Sequence, residues 1–199
     1  MIRNIRLQIA FDGTAYCGWQ RQSNVPTIQG EVEKALEVMT GSAVTLHGAG
    51  RTDAGVHALA MTANFKTTST VPCTGMHNGL NSMLPADIRI TSADEAADDF
   101  HSRYSACGKI YLYTVFTGAV QLPTERLYTS HVPGQHDIRA MQAVLDRLLG
   151  THDFSSFEGS GSRDLGIDGG RGGIRTLYRA AVAMHPEKPQ TLIFDFCGN

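Results

Sequence analysis

The chain has 199 residues, 42% of them hydrophobic and 18% charged, with a formal net charge of −2 and a pI of about 6.4. That length suits one large domain or two small ones and allows a substantial core. The balance excludes the bulk basic signature of a nucleic-acid binder, so any such contact must rest on a local surface, and no apolar run approaches the length of a membrane span.

The N-terminal stretch MIRNIRLQIAFDGTAY alternates apolar and polar residues. It lacks the continuous apolar segment of a signal peptide and reads as a first strand, so the expected compartment is the cytoplasm. Within it, Ile5, Leu7, Ile9 and Phe11 share one face. The segment TIQGEVEKALEVMTG predicts a helix. Thr27 is its N-cap, Ile28, Val32, Ala35, Leu36 and Met39 form its stripe, and Gly41 is its stop. AVTLHGAG predicts a strand running into a loop, and Val56 to Phe65 predicts another strand. TGMHNGLNSML reads as a short helix capped by Thr74 and stopped near Pro85, and DIRITSA as a further strand. The order β-α-β-β-α-β is a split βαβ, or ferredoxin-like, unit ending near Ala97, followed by ADEAADD as connector.

The pattern then starts again. Lys109 to Thr117 is rich in aromatic and β-branched residues and predicts a strand. DIRAMQAVLDRLLG is the clearest helix, with Asp137 as cap, Ile138, Met141, Val144, Leu145 and Leu148 as stripe, and Gly150 at its end. TLYRAAVAMH and TLIFDFCGN predict a hairpin across PEKPQ. This second half, 99–199, shows β-α-β-β, whereas the first, 1–98, shows six elements. A complete second repeat would need one more helix and strand. Glu158 to Thr176 is rich in Gly and Arg without a usable period and reads as a long loop. It has no GKT or GKS, which excludes a P-loop.

The four cysteines, Cys17, Cys73, Cys107 and Cys197, are scattered and never spaced CxxC. Neither a zinc site nor a disulfide framework is expected. Two arginine groups are candidate basic surfaces: Arg3, Arg6 and Arg21, and Arg163, Arg171, Arg175 and Arg179. The segment GAGRTDAGVHA, Gly48 to Ala58, sets Arg51 and Asp53 two residues apart among small residues. A turn is one reading, since Asp and Gly both favour turns. A catalytic carboxylate oriented by a neighbouring guanidinium is the other. The zinc deaminase pattern HxE…PCxxC is absent, and so are GxSxG, HExxH and a dinucleotide fingerprint. A glycosidase would want a second carboxylate, for which Asp12, Asp98 and Asp99 are the candidates. His57 reads as a structural hydrogen-bonder. Asn81 reads as a partner of backbone.

AFDGTAYCGWQRQ, TIQGEVEKAL, GAGRTDAGVHA, NSMLPADI and DDFHSRYSACGKIYLY, in this order, resemble the tRNA pseudouridine synthase A family. HDFSSF and the IRTL strand extend the resemblance through the chain. It implies an α+β pseudouridine synthase fold, with two ferredoxin-like halves forming one mixed, mainly antiparallel sheet. It implies isomerisation of uridine to pseudouridine at positions 38–40 of the tRNA anticodon stem-loop, by a homodimer, with no cofactor and no metal. The family's essential aspartate falls on Asp53 and its arginine on Arg51, which pairs with that aspartate and fills the space left by the flipped base. The family's base-stacking tyrosine falls on Tyr111, with Tyr113 beside it on the strand's opposite face. Gln20 and Arg21 are candidate RNA contacts, or a polar turn after a buried Trp19. Family members continue beyond the equivalent of Asn199 with a helix that carries further active-site residues. A catalytically incomplete RNA-binding paralogue and a nucleoside hydrolase are the rival readings.

Overall fold

A computed structural model describes residues 1–157 and 172–199, which fall into two compact units, Met1–Ala106 and Cys107–Asn199. The fold is mixed α+β. Among the described residues the strands form a four-stranded sheet in the first unit and a five-stranded sheet in the second.

In the first unit the elements are β1 (Arg3–Phe11), α1 (Ile28–Thr40), β2 (His47–Gly48), β3 (Ala58–Thr67), α2 (Cys73–Met83) and β4 (Ile88–Ala96). The sheet order is β2-β3-β1-β4, antiparallel throughout. Central β1 buries Ile5, Leu7, Ile9 and Phe11 with the expected period of two. These pack with Ile28, Val32 and Leu36 of α1 and Met76 and Leu80 of α2 in one core cluster. Each such side chain contributes about 1.5–3 kcal/mol of transfer free energy. Helix α1 begins where expected, because the Thr27 hydroxyl accepts from the Gly30 N–H at 3.3 Å. It ends at Gly41, whose φ of 71° is the left-handed stop.

Three readings of this unit need correction. Thr74 does not cap α2: Pro72 does, with extended backbone and no side-chain bond, and Thr74 lies inside the helix. β2 is only two residues long. The Leu46 N–H and C=O, which a longer strand would offer to a ladder, are taken by Glu33 and Gln29 of α1. The stretch through Glu95, read as connector, continues β4: Ile5 faces Glu95 and Asn4 faces Ala96. Its acidic residues meet β1 arginines, Arg3–Glu95 at 2.7 Å and Arg6–Asp94 at 3.6 Å. Asn81 bonds backbone as expected, donating to Ile90 O at 2.8 Å and accepting from Ile90 N at 2.9 Å.

The second unit contains β5 (Lys109–Phe116), β6 (Ser130–His131), α3 (Ile138–Leu145), β7 (Gly150–Asp153), β8 (Ile174–Met184) and β9 (Thr191–Gly198), in sheet order β6-β5-β9-β8-β7. The β8–β9 hairpin is as expected; β6 and β7 are too short to show a period. Asp137 caps α3 through Ala140 N at 3.0 Å. The helix is shorter than expected because it tightens into a 3₁₀ turn at Asp146–Leu148, before Gly150 (φ 96°) redirects the chain. Among the described residues its buried cluster is small: Leu145, Ala180, Val182 and Leu192. Tyr111 and Tyr113 pair with Phe196 and Phe194, so all four lie on one face. The opposite-face placement of Tyr113 therefore fails, because residues two apart on a strand share a face.

Most of the Gly-rich loop, through Arg171, lies outside the described residues, as do Arg163 and Arg171. Its last residues, from Ile174, already belong to β8. Among the described residues no helix is long and apolar enough to cross a membrane.

Candidate active site

Residues 49–57 join β2 to β3 and carry Arg51 and Asp53. This loop is clamped by backbone. Ala49 N donates to Thr62 O (2.8 Å), Trp19 N to Thr52 O (3.0 Å), Gly55 N to Tyr16 O (3.3 Å), and Val56 N to Asp53 O (3.2 Å). At its end the His57 Nδ1 lies 3.0 Å from Asp12 Oδ1 and 3.2 Å from Gly13 N, so His57 does the structural work expected of it.

The segment that grips the loop, residues 13–19, is anchored by Tyr16 and Trp19, which are 7% and 2% exposed. The Tyr16 hydroxyl donates to Asp87 Oδ1 at 2.7 Å. Burial and the Asp87 carboxylate raise its pKa far above the ordinary phenol value, so it remains a proton donor. The grip is close because glycines stand at the crossing points. A Cβ on Gly13 would overlap Val56 O, and one on Gly18, whose φ is +89°, would lie 2.5 Å from Thr52 O. A simple surface turn needs no such fit.

The Asp53 side chain is exposed and makes no hydrogen bond or ion pair among the described residues. Arg51 does not turn toward it: its Nε donates to Gln20 Oε1 at 3.0 Å. Gln20 is held in turn, since its Nε2 donates to Gln29 Oε1 at 3.1 Å, which also accepts from Arg21 N at 2.8 Å. Gln29 Nε2 donates to Glu33 Oε1 at 3.0 Å, and the other Glu33 oxygen meets Arg21 Nη1 at 2.9 Å. The structure thus brings Arg51, Gln20 and Arg21 into one network and leaves Asp53 open. Tyr111 belongs to the other unit, in β5, with 48% of its surface exposed.

Sequence reading missed Gln29 and Glu33. They are 6% and 7% exposed, and their signal was present: two polar residues four apart, beside the apolar stripe of α1. Removing the carboxylate with Glu33→Ala strands the Leu46 N–H, takes one of two bonds from the Gln29 Nε2 and breaks the ion pair to Arg21. Urea unfolding should show a loss of about 2–4 kcal/mol; a loss below about 0.5 kcal/mol would mean the network is not structural.

The first arginine group does not form a free basic patch, since Arg3, Arg6 and Arg21 each meet a carboxylate. In the second group Arg179 pairs with Asp195 at 2.9 Å, and Arg175 donates to Gly172 O and Ile174 O. Asp12 is tied to Thr14 N and its hydroxyl. Asp98 and Asp99 line a separate surface cavity. No group of three or more His, Cys, Asp or Glu side chains among the described residues could hold a metal ion.

A family model described as tRNA pseudouridine synthase matches residues 8–105, the stretch that includes the clamped loop. The chain is 50% identical over 193 residues to tRNA pseudouridine synthase A 1 of Desulfotalea psychrophila, covering 97% of this chain and 77% of that protein. It is 47% identical over 163 residues to tRNA pseudouridine synthase A 2 of Clostridium tetani, covering 81% and 66%. It is 40% identical over 200 residues to tRNA pseudouridine synthase A of Latilactobacillus sakei, covering 100% and 78%.

Proposed function

Because this chain belongs to the tRNA pseudouridine synthase A family, we propose that it isomerises uridine at positions 38–40 of the tRNA anticodon stem-loop, with Asp53 as its catalytic carboxylate. It is an isomerase acting on tRNA uridine. The reaction breaks the bond from N1 of uracil to C1′, turns the base, and joins C5 to C1′, with loss of the C5 proton and uptake of one proton at N1. Nothing is oxidised or reduced overall.

The observation that carries the proposal is an unpartnered carboxylate held outward on a backbone-clamped loop. A reacting base must leave its stack, at roughly a few kcal/mol. A fixed loop then presents Asp53 without further ordering cost. Asp53 can add to C1′, add to C6, or take a ribose proton; each route needs an accessible carboxylate. Arg51, held by Gln20, is suited to take the place of the departed base. Tyr111 is the proposed stacking platform, which recovers about 1–3 kcal/mol per stacked base. Gln20 and Arg21 border the loop and are the proposed contacts to the RNA backbone. The resemblance supports a homodimer working in the cytoplasm, which a size-exclusion mass near that of a monomer at micromolar concentration would contradict.

The test is tritium release from C5-tritiated uridine in unmodified tRNA. Release in proportion to enzyme is expected. Release from free uridine but not from tRNA would indicate a nucleoside enzyme instead, and tRNA binding without release would indicate a binding protein.

A further inference from the structure

A second feature of the first unit is not used by the reaction as described. Three rings meet in succession on its surface, each pair tilted, by 41° and 39°. His47 and His101 have centroids 4.8 Å apart, and His101 and Tyr104 have centroids 4.4 Å apart. The Arg103 guanidinium carbon lies 6.0 Å from the Tyr104 ring centre, the outer limit of a cation–π contact. Tyr104 is 78% exposed, so core packing does not explain it.

This row of rings is rigidly mounted. Asn4, Asn64 and Ser102, each 2% exposed, lie beneath it. Asn64 Nδ2 donates to Asn4 Oδ1 (2.9 Å), Asn4 Nδ2 to Ala97 O and Phe100 O (both 2.8 Å), and Ser102 N to Asn64 Oδ1 (2.9 Å). The Ser102 hydroxyl donates to His47 O, tying the 101–105 turn to β2. Ser105 N closes that turn on His101 O at 2.8 Å. Burying three polar side chains gains little stability; its gain is a fixed position. What it fixes is an exposed aromatic surface beside β2, the strand that feeds the Asp53 loop.

We propose that the His47–His101–Tyr104 row is a stacking site for an unpaired base of the RNA substrate, separate from the reacting uridine. This rests on the RNA-modifying function proposed above. Unstacked bases are bound by aromatic rings and guanidinium planes, a mode tolerant of base identity. Tyr104 offers the exposed face, and His101 backs it: burial and the neighbouring His47 lower the His101 pKa, which favours the neutral ring behind that face. A surface cavity of about 480 Å³ opens beside the two histidines, with Lys66, Asp98 and Asp99 in its wall. Those carboxylates disfavour a phosphate there, so the strand presents a base to this face and its backbone elsewhere.

The experiment compares wild type with Tyr104→Phe, Tyr104→Leu and Tyr104→Ala. It reads the Kd for unmodified tRNA at fixed salt, and kcat and KM from tritium release. Stacking predicts that Phe retains affinity. Leu and Ala weaken Kd and KM about tenfold, with kcat within about twofold. Thermal unfolding should be unmoved in all three, because the side chain is exposed. Equal Kd for wild type, Leu and Ala overturns the stacking site even if the enzyme is active. Failure of wild type to release tritium overturns the proposed reaction, while the Kd comparison still decides the stacking site.

Discussion

Asp53→Asn should abolish pseudouridine formation, lowering the single-turnover rate by at least about 10³-fold. The carboxamide has nearly the same shape. The loop's own contact at this residue uses the backbone, Val56 N to Asp53 O, and survives the change. The side chain is exposed, so stability should move by no more than about 0.5 kcal/mol. Affinity for tRNA should also hold, since the charge removed would repel phosphates. The informative pattern is therefore chemistry lost, with binding and folding kept. Tritium release, tRNA Kd and urea unfolding read the three separately. A variant that kept a tenth of the wild-type rate would remove Asp53 from the mechanism.

Gly18→Ala should also slow the reaction, by less than Asp53→Asn, although Gly18 carries no chemistry. Its φ of +89° is unfavourable for any residue with a Cβ. The added Cβ would lie 2.5 Å from Thr52 O and 3.1 Å from Asp53 C, and both are backbone atoms that cannot rotate aside. The loop must shift as a whole. A displacement near 1 Å costs about 10²-fold in rate, and the strain costs about 1–3 kcal/mol of stability. Gly41→Ala is the control. Gly41 has a similar φ of +71° but nothing within 4 Å of the added Cβ, and it closes α1. It should lose about 1 kcal/mol of stability with kcat unchanged. Equal kcat in both variants would mean that the close fit at Gly18 does not position Asp53.

The first unit was largely legible because its signals are local and agree. Thr27, the Ile28–Met39 stripe and Gly41 each mark α1 independently, and the alternation of Ile5 to Phe11 marks β1. The errors came where a distant side chain decided a local outcome. Nothing within AVTL says that Glu33 and Gln29 will claim the Leu46 backbone groups and shorten β2. Nothing within ADEA says that Arg3 and Arg6 lie opposite, which makes those carboxylates an edge strand. Pro72 stands at the N-cap in place of Thr74 with extended backbone and no capping side chain, so no capping residue type marks where α2 begins. In the second unit, β6 and β7 are two and four residues long, below the length at which a period of two can be read.

The site divides in the same way. The peculiarity of the Arg51–Asp53 loop was visible as composition. That the loop is gripped by residues 13–19 was not, because the cause is a Cβ missing from Gly13 and Gly18, and only proximity gives that absence a meaning. The partner of Arg51 was misjudged for a related reason. Gln20 is thirty-one residues away in sequence, and it is available only because Gln29 holds it.

The most direct test is to map pseudouridine in an unmodified tRNA transcript after incubation with this 199-residue chain, using carbodiimide-dependent reverse-transcription stops. Stops at uridines among positions 38–40 with the wild type, and none with Asp53→Asn, are the expected result. Stops only elsewhere in the tRNA, or the same stops with the Asn variant, would contradict it.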